Sequence, residues 1–161
     1  TRKVNKTPSS RDESEGERLD RNLGELLQEL RVALPGVQVL FGFLLAVPFQ
    51  QGFADVTDFQ RTTYFVTLLL TALTTALFIS PTAIHRATFR MQKKNRLVQL
   101  GNRLAIAGLL TLSLAMTGAV TLMTDVLYGA RTTVITSIAV FVVFVMFWAV
   151  LPARTRSYPD D

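Results

Sequence analysis

TTYFVTLLLTALTTALFI, residues Thr62 to Ile79, contains no Asp, Glu, Lys, Arg or His in eighteen positions. A bilayer core about 30 Å thick takes about 20 apolar residues in helix to cross, so the run reads as a membrane span. Three others of the same kind surround it: about Val32 to Phe49, Leu104 to Met123 and Thr133 to Leu151, again without a charged side chain or histidine. The apolar residues, 49% of the 161, are gathered into these blocks and separated by charge clusters. That distribution differs from the one-sided periodicity of a soluble chain. The predicted fold is therefore all-α, an integral membrane four-helix bundle. The first run carries Pro35 and Gly36 near its start and Pro48 near its end, so a kinked or re-entrant segment competes there with a straight helix.

Lys and Arg between spans stay on the cytoplasmic side of a membrane. From leader to tail the segments outside the spans hold seven, one, six, one and two of them. This alternation predicts that both termini and the middle connection are cytoplasmic. No signal peptide is expected, because 31 mostly polar residues precede the first apolar run. Phe53, Phe59, Tyr64 and Tyr128 fall near the outer boundary, and Phe89, Trp148 and Tyr158 near the inner one, where amphipathic rings favour headgroup depth.

Composition removes several kinds of chemistry. With no cysteine and one histidine, His85, the sequence offers no disulfide framework, no thiolate nucleophile and no zinc-type ligand set. No catalytic residue, cofactor or metal is predicted. The net charge of +5 sits in segments flanking apolar runs, where it reads as contact with anionic headgroups and not with nucleic acid.

Outside the spans, residues 1 to 16 are too polar to offset chain entropy, and disorder is expected there. From Glu17 to Leu34, Leu19, Leu23, Leu26 and Leu30 recur at steps of four and three, predicting a cytoplasmic amphipathic helix that ends at Pro35. Such a helix can lie on the membrane surface, dock a protein partner or pack on the chain's own cytoplasmic face. Glu25 and Glu29 make it a poor match to an anionic leaflet and are expected to face the basic middle connection, Arg86, Arg90, Lys93, Lys94, Arg96 and Arg103. Ser80 and Pro81 read as the start of a separate basic helix. Thr57 followed by Gln60 reads as a capping box opening the second span, and Thr124 to Thr132 as a tight hairpin. The four spans occupy residues 35 to 152 together with the end of the leader helix, and residues 153 to 161 form a cytoplasmic tail.

Polar side chains within the spans are few. Thr67, Thr71 and Thr74 share a face of the second span, and Thr117 and Thr121 share one on the third. Hydroxyls of this kind either bond back to helix carbonyls or line a polar path for an ion or solute. Gln38 in the first span bonds another helix or serves the same path. Asp125, at the outer end of the third span, is expected to pair with Arg61 or Arg131. Proton-coupled transport requires an ionisable group inside the membrane, and none of the spans has one.

LLQELRVALPGVQVLFGFLLAVPF (Leu26 to Phe49), FQRTTYF at the start of the second span, SPTAIHRATFR (Ser80 to Arg90) and NRLAIAGLLTLSLAMTGAVTLMTDVLYG (Asn102 to Gly129) resemble a family of small four-span bacterial membrane proteins of unknown function. The resemblance covers most of residues 17 to 150, and the run across Pro35 and Gly36 is its most specific part. Members are sometimes labelled sodium:proton antiporters by automatic transfer. The resemblance implies a multi-pass protein of the bacterial cell membrane and brings no catalytic residue with it. The functional expectation is a non-enzymatic accessory or assembly subunit, or a homo-oligomer, with a small threonine-lined channel or transporter as the alternative.

Overall fold

A computed structural model of the protein describes residues 15–88 and 94–151. These residues form four long helices and no strand: α1 (Glu15–Ala46), α2 (Asp58–Thr88), α3 (Lys94–Tyr128) and α4 (Ala130–Val145). Two 3-10 turns, Val47–Phe49 and Gln51–Asp55, join α1 to α2, and a π-type turn, Met146–Val150, extends α4. All four helices are long and apolar enough to cross a membrane, over Glu17–Phe49, Asp58–Ile84, Val98–Tyr128 and Ala130–Trp148. The chain is thus a multi-pass membrane protein by length and composition.

Three of the helices are longer than a bilayer needs. At 1.5 Å per residue, α1, α2 and α3 measure about 48, 46 and 52 Å, against about 30 Å of hydrocarbon. Their surplus lies toward the α2–α3 connection. There Leu26 of α1 stands against Gly101 of α3, which in turn adjoins Pro81 of α2. The fourth helix, 16 residues or about 24 Å long, approaches bilayer thickness only with its π-type extension.

The predicted break at Pro35 is absent. Leader and first span are one helix, with Pro35 inside it. The reason lies in the opposite face: Leu23, Leu30, Val37 and Leu44, spaced by seven, are all buried and hold one continuous side of α1 to the bundle, while Pro35 is exposed. The proline forfeits its N–H bond to the Arg31 carbonyl, but its ring lies on the exposed side of the helix. The leucines predicted for a membrane surface or a partner are used internally: Leu30 belongs to a core with Val37, Phe78, Ala105 and Leu112, and Leu26 packs against that core. Leu23 is buried and Leu19 half-buried. Helix α1 also begins at Glu15, inside the segment expected to be disordered.

Ser80 and Pro81 likewise do not start a helix. Pro81 lies within α2, and Ser80 donates its hydroxyl back to the Ala76 carbonyl at 2.7 Å instead of capping an N-terminus. The packed face of α2 includes the proline itself, since Phe78 and Pro81 are both fully buried. The Thr57 capping box is present. The Gln60 N–H donates to Thr57 Oγ1 at 3.2 Å and the Thr57 N–H to Gln60 Oε1 at 3.1 Å. The hairpin placed at Thr124 to Thr132 reduces to one residue, because α3 runs to Tyr128 and α4 starts at Ala130. Gly129 makes that turn with φ 78° and ψ 174°, a region essentially reserved to glycine.

Helices α2 and α3 form the most extensive pairing, α1 lies against both, and α4 packs chiefly on α3. The share of each span buried within the chain is greatest for α2 and least for α4. The extension of α4 returns to the core through Trp148, which packs against the Leu30–Phe78 cluster and meets the Phe144 ring at a tilt with centroids 4.9 Å apart. The wider turn of a π segment shifts the angular position of the residues that follow, and Trp148 lies within it.

Candidate functional site

Two sets of hydroxyl side chains in the spans lie on two helix seams. Thr67, Thr71 and Thr74 project from α2 toward α3 and are 1%, 0% and 0% exposed. Helical spacing of four and three residues aligns them on one face. A hydroxyl buried in an apolar seam needs an acceptor, and the nearest is the carbonyl one turn back. Thr67 donates to Thr63 O at 2.7 Å and Thr71 to Thr67 O at 2.8 Å. Thr74 Oγ1 stands 2.8 Å from both Leu70 O and Thr111 Oγ1, so its one proton is shared, and Thr111 passes its own to Gly108 O.

Small residues on α3 accept this bulk. A Cβ on Gly118 would collide with Thr67, and one on Gly108 with the ring of Phe78. Ala115 is fully buried between them. Close approach of two backbones at small residues is the usual means of holding helices together in lipid, where no hydrophobic drive separates helix from tail.

The second hydroxyl set belongs to the other seam. Thr117 donates to Ser113 O, Thr121 to Thr117 O, and Thr121 Oγ1 lies 2.7 Å from Ser137 Oγ of α4. Ser137 donates to Thr133 O. The two threonine stripes predicted to line a path therefore occupy two different seams. Gln38, placed with them on sequence grounds, is exposed on the outer side of α1.

At the end of the bundle bearing the α1–α2 and α3–α4 connections, Asp125 is half-buried and receives a 3.0 Å hydrogen bond from Gln60 Nε2. The expected pairing with Arg61 or Arg131 gives way to this amide because Gln60 is already fixed by its capping bonds, whereas Arg61 extends outward to Asp58 at 4.0 Å. One side chain thus caps α2 and ties it to α3. Replacing Gln60 by alanine is expected to lower stability by about 1–2 kcal/mol, more than Thr57→Ala, as read from unfolding midpoints in detergent.

A further tie went unnoticed in the sequence. Pro48 has no N–H to give the carbonyl of Leu44 four residues earlier. Tyr64 of α2 supplies the donor, its hydroxyl reaching Leu44 O at 3.0 Å, while Phe53 packs edge-on against the Tyr64 ring at 5.2 Å. A proline four residues after a buried position was the available signal.

At the opposite end, Glu25, Glu29, Arg86 and Arg103 are exposed. Arg90 and Lys93 lie outside the described residues, and Lys94 and Arg96 fall in the opening turn of α3. Among the described residues no group of three His, Cys, Asp or Glu is placed to hold a metal ion.

The profile of a family of unknown function, DUF6328, matches residues 12–152 and so takes in all four helices. The chain belongs to that family. No curated protein and no solved structure matches it. Membership in DUF6328 supplies no mechanism, and the reading of this member rests on its own geometry.

Proposed function

We propose that this protein is a non-enzymatic component of the bacterial cell membrane that acts by assembly, as an accessory subunit of a membrane complex or as a homo-oligomer. The observation that carries the reading is the closure of its hydroxyl seams. Thr67, Thr71 and Thr74 are buried to within 1% and committed to carbonyls or to Thr111, which is how helices are joined and not how a wet pathway is lined. The surfaces left for interaction are the outer faces of the helices and the projecting end. Both termini are assigned to the cytoplasm on the Lys and Arg distribution, with Arg86 and Arg103 against anionic headgroups.

Reconstitution into liposomes tests this directly. Sodium, potassium and proton flux is expected to equal that of protein-free vesicles and to be unchanged by Thr71→Val. Flux well above that background and abolished by the substitution would replace the assembly reading with the channel or transporter. Purification in mild detergent is expected to retain a second copy or a stoichiometric partner; a solitary monomer at native membrane density would overturn the proposal.

A further inference from the structure

The inference rests on the assembly reading and names its partner and surface. We propose that a second copy of this chain docks on the outer face of α1, parallel and about a two-fold axis, with Gln38 meeting Gln38 and Gly42 and Ala46 forming the close approach.

Gln38 lies six residues beyond Val32, the start of the apolar run, or about 9 Å along the helix. It is nevertheless exposed on the surface of the chain. A carboxamide in hydrocarbon lacks the water that would satisfy its two donors and its acceptor. Rotation cannot bring it inward, because Leu23, Leu30, Val37 and Leu44 fix the opposite face of α1 in the bundle. A partner must therefore present an acceptor and a donor together, and the amide itself is such a group. Two copies related by a two-fold axis place each amide oxygen against the other's N–H, the self-complementary condition of an isologous contact. Identical insertion of both copies makes the pair parallel.

The glycines give the second line of support. A glycine inside a helix carries an entropic cost. In α3 that cost is offset by packing, since the spaces beside Gly101, Gly108 and Gly118 are filled by Leu26, Phe78 and Thr67. Gly42, like Gly24 and Gly36 of α1, has nothing within 4 Å of where a Cβ would stand, and of the three it is the one that lies a turn from Gln38 on the same face. Ala46, a further turn on, is also exposed. Glycine and alanine four apart, next to a polar side chain, let two helix backbones approach while an amide bond forms between them. Helix α4 has no comparable feature: its exposed positions include Val134, Ile135, Ile138, Val142 and Phe147, a surface suited to lipid tails.

The test uses the full chain in lipid vesicles at several protein densities, with copy number read by single-molecule photobleaching. The unaltered chain is expected to dimerise. Gln38→Leu and Gly42→Leu are each expected to weaken association by roughly tenfold or more, while the unfolding midpoint read at a dilution where the chain is monomeric is not lowered, because neither residue is packed in the monomer. Since the sequence has no cysteine, single introduced thiols locate the contact: Ala46→Cys is expected to cross-link and Val142→Cys is not. A dimer that survives Gln38→Leu and cross-links through Val142→Cys would overturn this inference and leave the assembly reading standing. So would a stoichiometric partner of different sequence with no self-association. A chain solitary at every density and in native extracts would overturn both.

Discussion

Truncation of Phe78 to alanine is expected to cost about 3–5 kcal/mol of stability, the range for removing a large aromatic from a packed interior. Phe78 has no exposed surface. Its ring fills the space left by Gly108 on α3, and it shares a core with Leu30, Val37, Ala105 and Leu112 that joins α1, α2 and α3. The α3 residue directly against the ring, Gly108, has no side chain with which to close the gap. Reversible unfolding in mixed micelles measures the loss. The double substitution Phe78→Ala with Gly108→Leu is expected to recover part of it, because the new side chain enters the vacated space. Strictly additive costs would show that the two positions do not share it.

Enlarging Gly118 is expected to have the opposite cause and a similar size. A leucine there meets Thr67, which is short, buried and tied by its hydroxyl to the Thr63 carbonyl. With no flexible end to yield, α2 and α3 must separate along their most extensive seam. Overpacking of this kind costs about 1–3 kcal/mol where the surroundings adjust, and Gly118→Leu is expected at or above the upper end, with reduced yield of folded protein. Gly42→Ala is the matching control. Its side chain enters open space, so unfolding of the monomer is expected to be unchanged or slightly harder, by up to about 1 kcal/mol from helix propensity.

How much of this could be read beforehand depends on the range of the interaction. Four apolar runs gave four helices because span length is a local property of composition. The Thr57–Gln60 box was legible because both partners lie within one turn. The prolines misled. Pro35 and Pro81 were read as helix limits from local rules, yet a buried stripe passes the first, Leu30 to Val37 in α1, and takes in the second, Phe78 to Pro81 itself in α2. Tertiary packing outweighed one lost hydrogen bond. The threonine stripes were legible as stripes, but which helix each one faces depends on the relative rotation of α2, α3 and α4. Asp125 could be placed at a helix end, while its choice of Gln60 over an arginine required knowing that Gln60 was already held still. Gln38 was expected to bond another helix or to serve a polar path; it stands on the outer side of α1, and the phase of the buried heptad explains why.

The passage of α1 through Pro35 has a mechanical consequence. A proline ordinarily marks the place where a helical rod bends, since one rung of its ladder is missing. Here the rod is splinted: Leu30, Ala33 and Leu34 before the weak rung and Val37 after it are clamped to one and the same core. Bending at Pro35 would pry one of these groups loose, so the part of α1 beyond the bilayer is stiffly coupled to the part within it. A pull or twist applied at the projecting tip is delivered to the Phe78 core instead of being absorbed at the proline.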